Sequence, residues 1–179
     1  DSINAIVTET HLPVVLFDAR TDNPEVINVC SDDRKGCYLS TRYLINRGHK
    51  KIAFVANYEG NPLLTDRFEG YRAAMEESGL GCDPDCIFSY SPSYEEGIAA
   101  GKAIAASALK ITGLVTTADI CAIGIMEGAR LGGLRIPTDL SVIGYDNLAV
   151  STYTTPKLTT ISQNVIKKAE TAMKLLLEK

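Results

Sequence analysis

Short apolar runs alternate with longer amphipathic segments along the whole chain. Five of these runs have the length and the β-branched or aromatic content of strands, and they lie at 12–17, 51–56, 86–90, 113–116 and 140–143. The segments between them carry apolar residues three or four positions apart, as amphipathic helices do, and several end at a glycine. A last segment, 165–177, has the same helical spacing. The alternation predicts an α/β fold, a parallel sheet with helices on both faces.

A polar residue follows each predicted strand. These residues are Asp18, Asn57, Ser91, Asp119 and Asp146. In open α/β sheets, ligands bind in the crevice beyond the carboxyl ends of the strands, so we expect these side chains to gather at one rim. The alternative for each is an ordinary turn or helix-capping role, which the same residue types favour. Asp146 is the strongest ligand candidate, because it follows Gly144 and Tyr145 and does not directly precede a helix.

Arg67 lies near the start of the helix that follows the strand at 51–56, so the fold would place it at the same rim. A guanidinium is a planar fork of donors, suited to vicinal hydroxyls or a carboxylate. Asp146 supplies acceptors, which match hydroxyl protons. The two residues predict a site that binds a polar ligand without breaking a bond. The alternative is a structural ion pair of Arg67 with Asp66 or Asp146.

Composition narrows the class of protein. Hydrophobic residues make up 45% of the 179 residues and charged residues 22%, which are globular values. A net charge of −4 argues against nucleic-acid binding by this chain itself. No apolar run reaches the roughly 18 residues of a membrane helix, and no signal peptide pattern is present. Five cysteines without a framework pattern favour a reducing compartment. We therefore expect a cytoplasmic protein that does not contact a membrane.

Enzymatic and metal chemistry find little support in the sequence. The two histidines, His11 and His49, do not lie at metal-ligand spacing from a cysteine pair. The stretch GIAAGK at 97–102 lacks the spacing and the Ser or Thr of a phosphate loop. No nucleophile, base and orienting group can be assembled. We expect no catalytic residue, no metal ion and no cofactor, and a small α/β enzyme is the weakest of the functional hypotheses.

Four segments, in their order and spacing, resemble the lactose/galactose repressor (LacI/GalR) family of bacterial transcription regulators. They are VINVCSDDRKGCYLSTRYLINRGHKKIAFV, RFEGYRAAMEESGL, RIPTDLSVIGYDN and PKLTTISQN. The resemblance implies an effector-binding region with the periplasmic-binding-protein fold. Two α/β lobes linked by three chain crossings would hold an effector between them, and an N-terminal helix-turn-helix would bind operator DNA. The implied effector is a sugar, a sugar phosphate, a nucleobase or another small metabolite, and the implied assembly is a homodimer.

The resemblance also assigns ligand-binding residues. The family's ligand-contacting arginine falls on Arg67 of RFEGY, and its pocket aspartate falls on Asp146. The acid that ends the lobe-linking strand falls on Asp18. A polar loop position six residues before the arginine falls on Asn61.

Two positions depart from the family pattern. The aromatic residue that often stacks on the ligand is replaced by Pro92, with Tyr90 and Tyr94 beside it. The family's A-N-D motif has Ala118 where an asparagine often precedes the aspartate, Asp119, so one hydroxyl-binding amide is missing. These departures leave the identity of the effector open and the location of the site unchanged.

The resemblance implies a division of the chain. Residues 1–23 would end the N-terminal lobe, 24–149 would form the C-terminal lobe, and 150–179 would return to the N-terminal lobe. Since the sequence begins without Met and matches the family from late in that lobe, we expect a fragment without the DNA-binding headpiece. Such a fragment would expose apolar surface on the helix at 165–177, and so would self-associate or lose stability.

Effector binding would favour a closed arrangement of the lobes and change operator binding through the dimer. The helix at 119–131 is a candidate dimer face, and ordinary core packing is the alternative. A periplasmic sugar- or solute-binding protein has the same fold and pocket, and it is the alternative function.

Overall fold

The computed structural model of the chain describes residues 5–7, 9 and 12–178. The chain forms two compact units. The larger unit is Asp33–Gln163, and the smaller unit combines Asp1–Asp32 with Asn164–Lys179. The predicted divisions after residues 23 and 149 fall elsewhere, because backbone pairing keeps residues 26–29 with the first strand and residues 159–162 with the larger sheet. His11 lies outside the described residues.

The larger unit is built on a five-stranded parallel sheet in the order β4-β3-β5-β6-β7. Its strands are β3 (Ile52–Val55), β4 (Ile87–Phe88), β5 (Gly113–Thr116), β6 (Ser141–Asp146) and β7 (Thr159–Ser162). Its helices are α1 (Asp33–Asn46), α2 (Pro62–Glu77), α3 (Tyr94–Ala106) and α4 (Asp119–Leu131). Helix α1 packs on α2, and α3 packs on α4. The predicted α/β class is confirmed.

Side chains of the central strands alternate between two apolar cores. On β3, Ile52 and Phe54 join the core beneath α1 and α2, while Ala53 and Val55 join the core beneath α3 and α4. All four residues of this strand are buried. A strand covered on both faces must be apolar at every position, which is why these strands appear as continuous hydrophobic runs.

Several element boundaries follow the predicted signals. Ser93 caps α3, and its Oγ accepts a hydrogen bond from the backbone N–H of Glu96 at 3.2 Å, as the Ser-to-Glu spacing predicts. Strand β6 extends beyond the predicted run and includes Asp146 as its last residue. Strand β7 was not predicted, because its sequence TTIS has no apolar run and its outer residues are exposed.

The smaller unit contains two parallel strands, β1 (Val14–Phe17) and β2 (Val26–Val29), and helix α5 (Val165–Leu177). Helix α5 has the predicted bounds. Its buried residue is Lys168, while Val165, Ile166, Met173 and Leu177 are each more than half exposed. None of the helices in the described part of the chain has the length and hydrophobicity of a membrane span.

Candidate functional site

Arg67 is held at the carboxyl edge of the sheet by three groups that are distant in sequence. Its Nε donates to Asp33 Oδ1 at 2.8 Å, and its Nη1 donates to the carbonyl oxygen of Thr117 at 2.6 Å. Its Cζ lies 3.8 Å from the ring centroid of Tyr145. We call Asp33, Arg67, Thr117 and Tyr145 the arginine cluster. The ion-pair alternative considered for Arg67 is realised with Asp33, and not with Asp66 or Asp146.

The arginine cluster is almost entirely removed from solvent. Asp33 is 1% exposed and Arg67 is 8% exposed. Burial, followed by the charge of Asp33 and a hydrogen bond to its carboxylate, raises the pKa of the Tyr145 hydroxyl, so Tyr145 stays a neutral donor. Two opposite charges that share a dry environment attract each other strongly, and losing either would leave the other buried alone.

Cys37 lies in the same core, next to this ion pair. Burial raises the pKa of the Cys37 thiol to about 12, although the nearby Arg67 lowers it in part. The residue is therefore a neutral thiol at neutral pH. Because the thiolate is the reactive form of cysteine, Cys37 acts as a small packing residue here.

The position of Tyr145 depends on a glycine in α1. A Cβ atom at Gly36 would lie 2.3 Å from the Tyr145 hydroxyl oxygen, far inside contact distance. Gly70 permits an equally close approach of α2 to α1, since its Cβ would lie 2.0 Å from the carbonyl oxygen of Arg34. Two glycines thus let α1 and α2 approach closely enough to close the arginine cluster.

Asp146 ends β6 in an unusual backbone conformation. Its φ is +113° and that of Asn147 is +57°, two successive values that L-residues rarely adopt. Such residues cost about 1–3 kcal/mol each and are concentrated at ligand sites. The Asp146 carboxylate accepts a hydrogen bond from Gln163 Nε2 at 2.5 Å, and the side chain is partly exposed. Asp146 can therefore offer acceptor oxygens to a ligand at this edge.

Asp119 supports the Asp146 turn from below. The residue is fully buried, and its Oδ2 accepts from the backbone N–H of Leu148 at 2.7 Å while its Oδ1 accepts from Thr160 Oγ1 at 2.5 Å. Burial raises the pKa of Asp119, and these hydrogen bonds lower it part of the way. Although it was predicted to stand at the rim with the other strand-end residues, Asp119 holds the turn in place from within the protein.

Asn61 and Pro92 both lie on exposed loops near strand ends. Asn61 caps α2, and its Oδ1 accepts from the backbone N–H groups of Leu63 at 3.1 Å and Leu64 at 3.4 Å. Pro92 directly precedes the α3 cap, Ser93. The capping role of Asn61 is thus present, and ligand contact by either residue stays a prediction.

Asp18 belongs to the smaller unit. It follows β1 with a φ of +50°, and Lys168 Nζ donates to its two carboxylate oxygens at 2.7 and 2.5 Å. The side chain of Lys168 is 8% exposed, and its Nζ lies 4.9 Å from the ring centroid of Phe17. A nearly buried ammonium group therefore neutralises this acid within its own unit.

Three polar residues of these sites were not identified from the sequence: Asp33, Gln163 and Lys168. Asp33 stands beside Asp32 in SDDR, and no local signal separates the buried acid from the exposed one. Gln163 follows the unpredicted strand β7. Lys168 lies on an otherwise apolar stripe of α5, and a charged residue at a core position is the signal that could have identified it.

No group of three or more His, Cys, Asp or Glu side chains in the described part of the chain is arranged to hold a metal ion. The five cysteines, all within described segments, are thiols without disulfide bonds. The chemistry at the carboxyl edge of the larger sheet is thus that of a buried guanidinium, partly exposed carboxylate oxygens and loop groups. Such a set can bind hydroxyl, amide or anionic groups.

Comparison with known proteins gives concordant results. The periplasmic binding protein-like domain family matches residues 41–179. The chain is 34% identical over 179 residues to the HTH-type transcriptional repressor PurR of Pasteurella multocida, covering all of this chain and 54% of that protein. Similar PurR repressors of other bacteria are 28–34% identical to it. The chain spans about half the length of the curated relatives it matches.

Two solved structures illustrate the structural likeness. A sugar-binding transcriptional regulator of the LacI family from Escherichia coli, complexed with phosphate, superposes with a TM-score of 0.89 at 25% identity, covering 99% of this chain and 64% of the other. A LacI family transcriptional regulator from Enterococcus faecium, with bound ribose, has a TM-score of 0.88 at 30% identity and covers 99% and 65%.

Proposed function

The chain belongs to the periplasmic binding protein-like family, as the effector-binding region of a lactose/galactose repressor (LacI/GalR) type regulator, and we propose that it binds a small-molecule effector that controls operator binding by the whole protein. The observation that carries the proposal is the strained Asp146 turn at the carboxyl edge of the larger sheet, directly after the tyrosine on which Arg67 stacks. Ligands of open α/β sheets bind at this edge.

The effector is a sugar or a sugar phosphate. Partly exposed carboxylate oxygens on Asp146 match hydroxyl protons. The described hydrogen bonds of Arg67 use Nε and Nη1, so Nη2 is the atom that would donate to a ligand. Asn61 and Pro92 would contact it from the neighbouring loops, and Asp18 is the contact proposed in the smaller unit. Among the structural relatives, one holds ribose and another holds phosphate, and these ligands support the same chemical class.

The whole protein would be a cytoplasmic, dimeric DNA-binding regulator without enzymatic activity. Its curated relatives carry the name HTH-type transcriptional repressor, which favours a regulator over a periplasmic solute-binding protein. DNA contact would come from a helix-turn-helix segment outside this chain, and α4 would contribute to the dimer face. The effector can shift operator binding only by its differential affinity for the two conformations of the regulator.

Titration calorimetry of the full-length protein with sugars, sugar phosphates and nucleobases tests the proposal. The decisive variant is Asp146→Asn, which keeps the size of the side chain and removes its charge. We expect its affinity for the effector to fall by about tenfold or more. Asp139→Asn is the control, because Asp139 pairs with Arg135 at the opposite end of β6. Unchanged affinity in a folded Asp146→Asn protein would refute the assignment.

A further inference from the structure

A second cavity lies at the opposite end of the larger sheet from Asp146. It is lined by the start of β6, the start of β7 and the last turn of α1, and it has a volume of 290 Å³. The six-residue strand β6 joins the two places, with Ser141 at the cavity and Asp146 at the candidate effector site. At about 3.3 Å per residue, this separation is too large for one small ligand to span.

The walls of the cavity are apolar. Leu44, Val142 and Leu158 line it, and each is less than 9% exposed because it also belongs to one of the two cores. Pockets for small molecules usually measure about 300–1,000 Å³, and a dry cavity of about 150 Å³ already admits benzene. A volume of 290 Å³ therefore suits one ring or a short hydrocarbon group with a small polar head.

Two cations stand at this cavity, Arg47 and Lys157. Neither forms an ion pair with an acidic side chain in the described part of the chain, whereas Lys51, Arg72 and Arg135 each do. The Cζ of Arg47 lies 3.5 Å from the ring centroid of Tyr43, a contact that fixes the direction of the guanidinium. A pre-oriented guanidinium beside an ammonium group is suited to an anion.

We propose that this cavity is a second ligand site, which binds a small organic anion: a carboxylate or phosphate group carried on an aromatic ring or a short hydrocarbon chain. The hydrocarbon part would fill the apolar walls, and the anionic head would pair with Arg47 and Lys157. The site differs from the candidate effector site in position, in lining and in the charge of its ligand groups. Its existence does not depend on the proposed effector.

Phenyl phosphate is the probe that tests the site, titrated into the ¹⁵N-labelled chain while backbone amide shifts are followed by NMR. We expect amides of residues 141–143 and 157–159 to shift together and to saturate. Benzyl alcohol has no charge and inorganic phosphate has no ring, so each should bind about tenfold more weakly or not at all. Equal binding of inorganic phosphate, or saturable shifts confined to other parts of the chain, would overturn the proposal.

Charge-removing variants make the test specific. Arg47→Gln and Lys157→Gln should each weaken phenyl phosphate binding by about tenfold. Both side chains are exposed, so the variants should fold normally. Lys102→Gln on α3 is the matched control and should bind as the unmodified chain does. If Arg47 serves only to interact with the carboxyl end of α1, its variant will lose stability and keep its affinity, and the proposal fails.

Discussion

The guanidinium of Arg67 lies over the ring of Tyr145, 3.8 Å from its centroid, and so fixes the residue that directly precedes Asp146. The same guanidinium joins Asp33 at the start of α1 to the carbonyl of Thr117 after β5. One side chain therefore links two helices and two strand ends at the edge where the ligand is proposed to bind. Stability of the larger unit and geometry of the Asp146 turn should depend on the same contacts.

Breaking the Arg67–Asp33 pair should be costly. Asp33→Ala leaves the Arg67 charge buried without its carboxylate, and removing one partner of a buried pair costs about 3–5 kcal/mol in the free energy of unfolding. Urea unfolding followed by circular dichroism measures this loss. The control is Glu69→Ala on α2, which removes the partner of the much more exposed Arg72 and should cost at most about 1 kcal/mol. Similar losses in the two variants would contradict the assigned role of the buried pair.

Gly36→Ala should destabilise the protein even though alanine is the better helix former. The new Cβ would lie 2.3 Å from the Tyr145 hydroxyl oxygen, so the ring or α1 must move. Overpacking of this kind costs about 1–3 kcal/mol. Urea unfolding gives the loss, and near-ultraviolet circular dichroism reports the changed environment of the tyrosine. Leu39→Ala, at an exposed position of the same helix, is the control, and a Gly36→Ala protein as stable as this control would argue against the close contact.

The stability contribution of Asp119 should depend on pH. Burial raises its pKa in the folded state, so the folded protein binds the proton more tightly than the unfolded chain does. The charge of Asp119 therefore lowers stability above the raised pKa, and this penalty disappears as the pH falls toward the ordinary value of about 4. Relative to the unmodified chain, Asp119→Asn should gain in free energy of unfolding between about pH 4 and about pH 7.5.

Asp139 gives the opposite sign and serves as the comparison. Hydrogen bonds from Arg135 lower its pKa to about 2, so its contribution is present above the ordinary pKa and is lost as the pH falls through about 2. Asp139→Asn should therefore lose stability relative to the unmodified chain at neutral pH. Urea unfolding curves of both variants at several pH values provide the test, and equal pH trends would rule out the burial argument for Asp119.

The exposed apolar side of α5 should cause self-association of the isolated chain. Ile166 is 76% exposed and Leu177 is 78% exposed, and both lie on a helix that also exposes Val165 and Met173. Contiguous apolar surface of this kind marks an interface. Light scattering at increasing protein concentration should show species larger than the 19.3 kDa chain. The double variant Ile166→Lys, Leu177→Lys should reduce this association, while a monomeric unmodified chain would exclude it.

The sequence placed individual residues at the correct edge without showing what they contact. Arg67 and Asp146 were identified from strand ends and from the family resemblance, and both lie in the larger unit near the carboxyl ends of its strands. The partner of Arg67 was not predictable, because Asp33 is 34 positions away and its neighbour Asp32 is chemically identical. The role of Asp119 was hidden for the same reason, since its contacts to Leu148 and Thr160 span 29 and 41 positions.

The sequence by itself determined the α/β class, the helices and the central strands, because these follow from local periodicity, capping and glycine positions. Tertiary structure alone decided how the charges are used. Whether an acid is a ligand group, as proposed for Asp146, or an internal brace, as Asp119 is, depends on which segments cover it. Burial and long-range hydrogen bonds set that difference, and neither is encoded in the residues immediately around an aspartate.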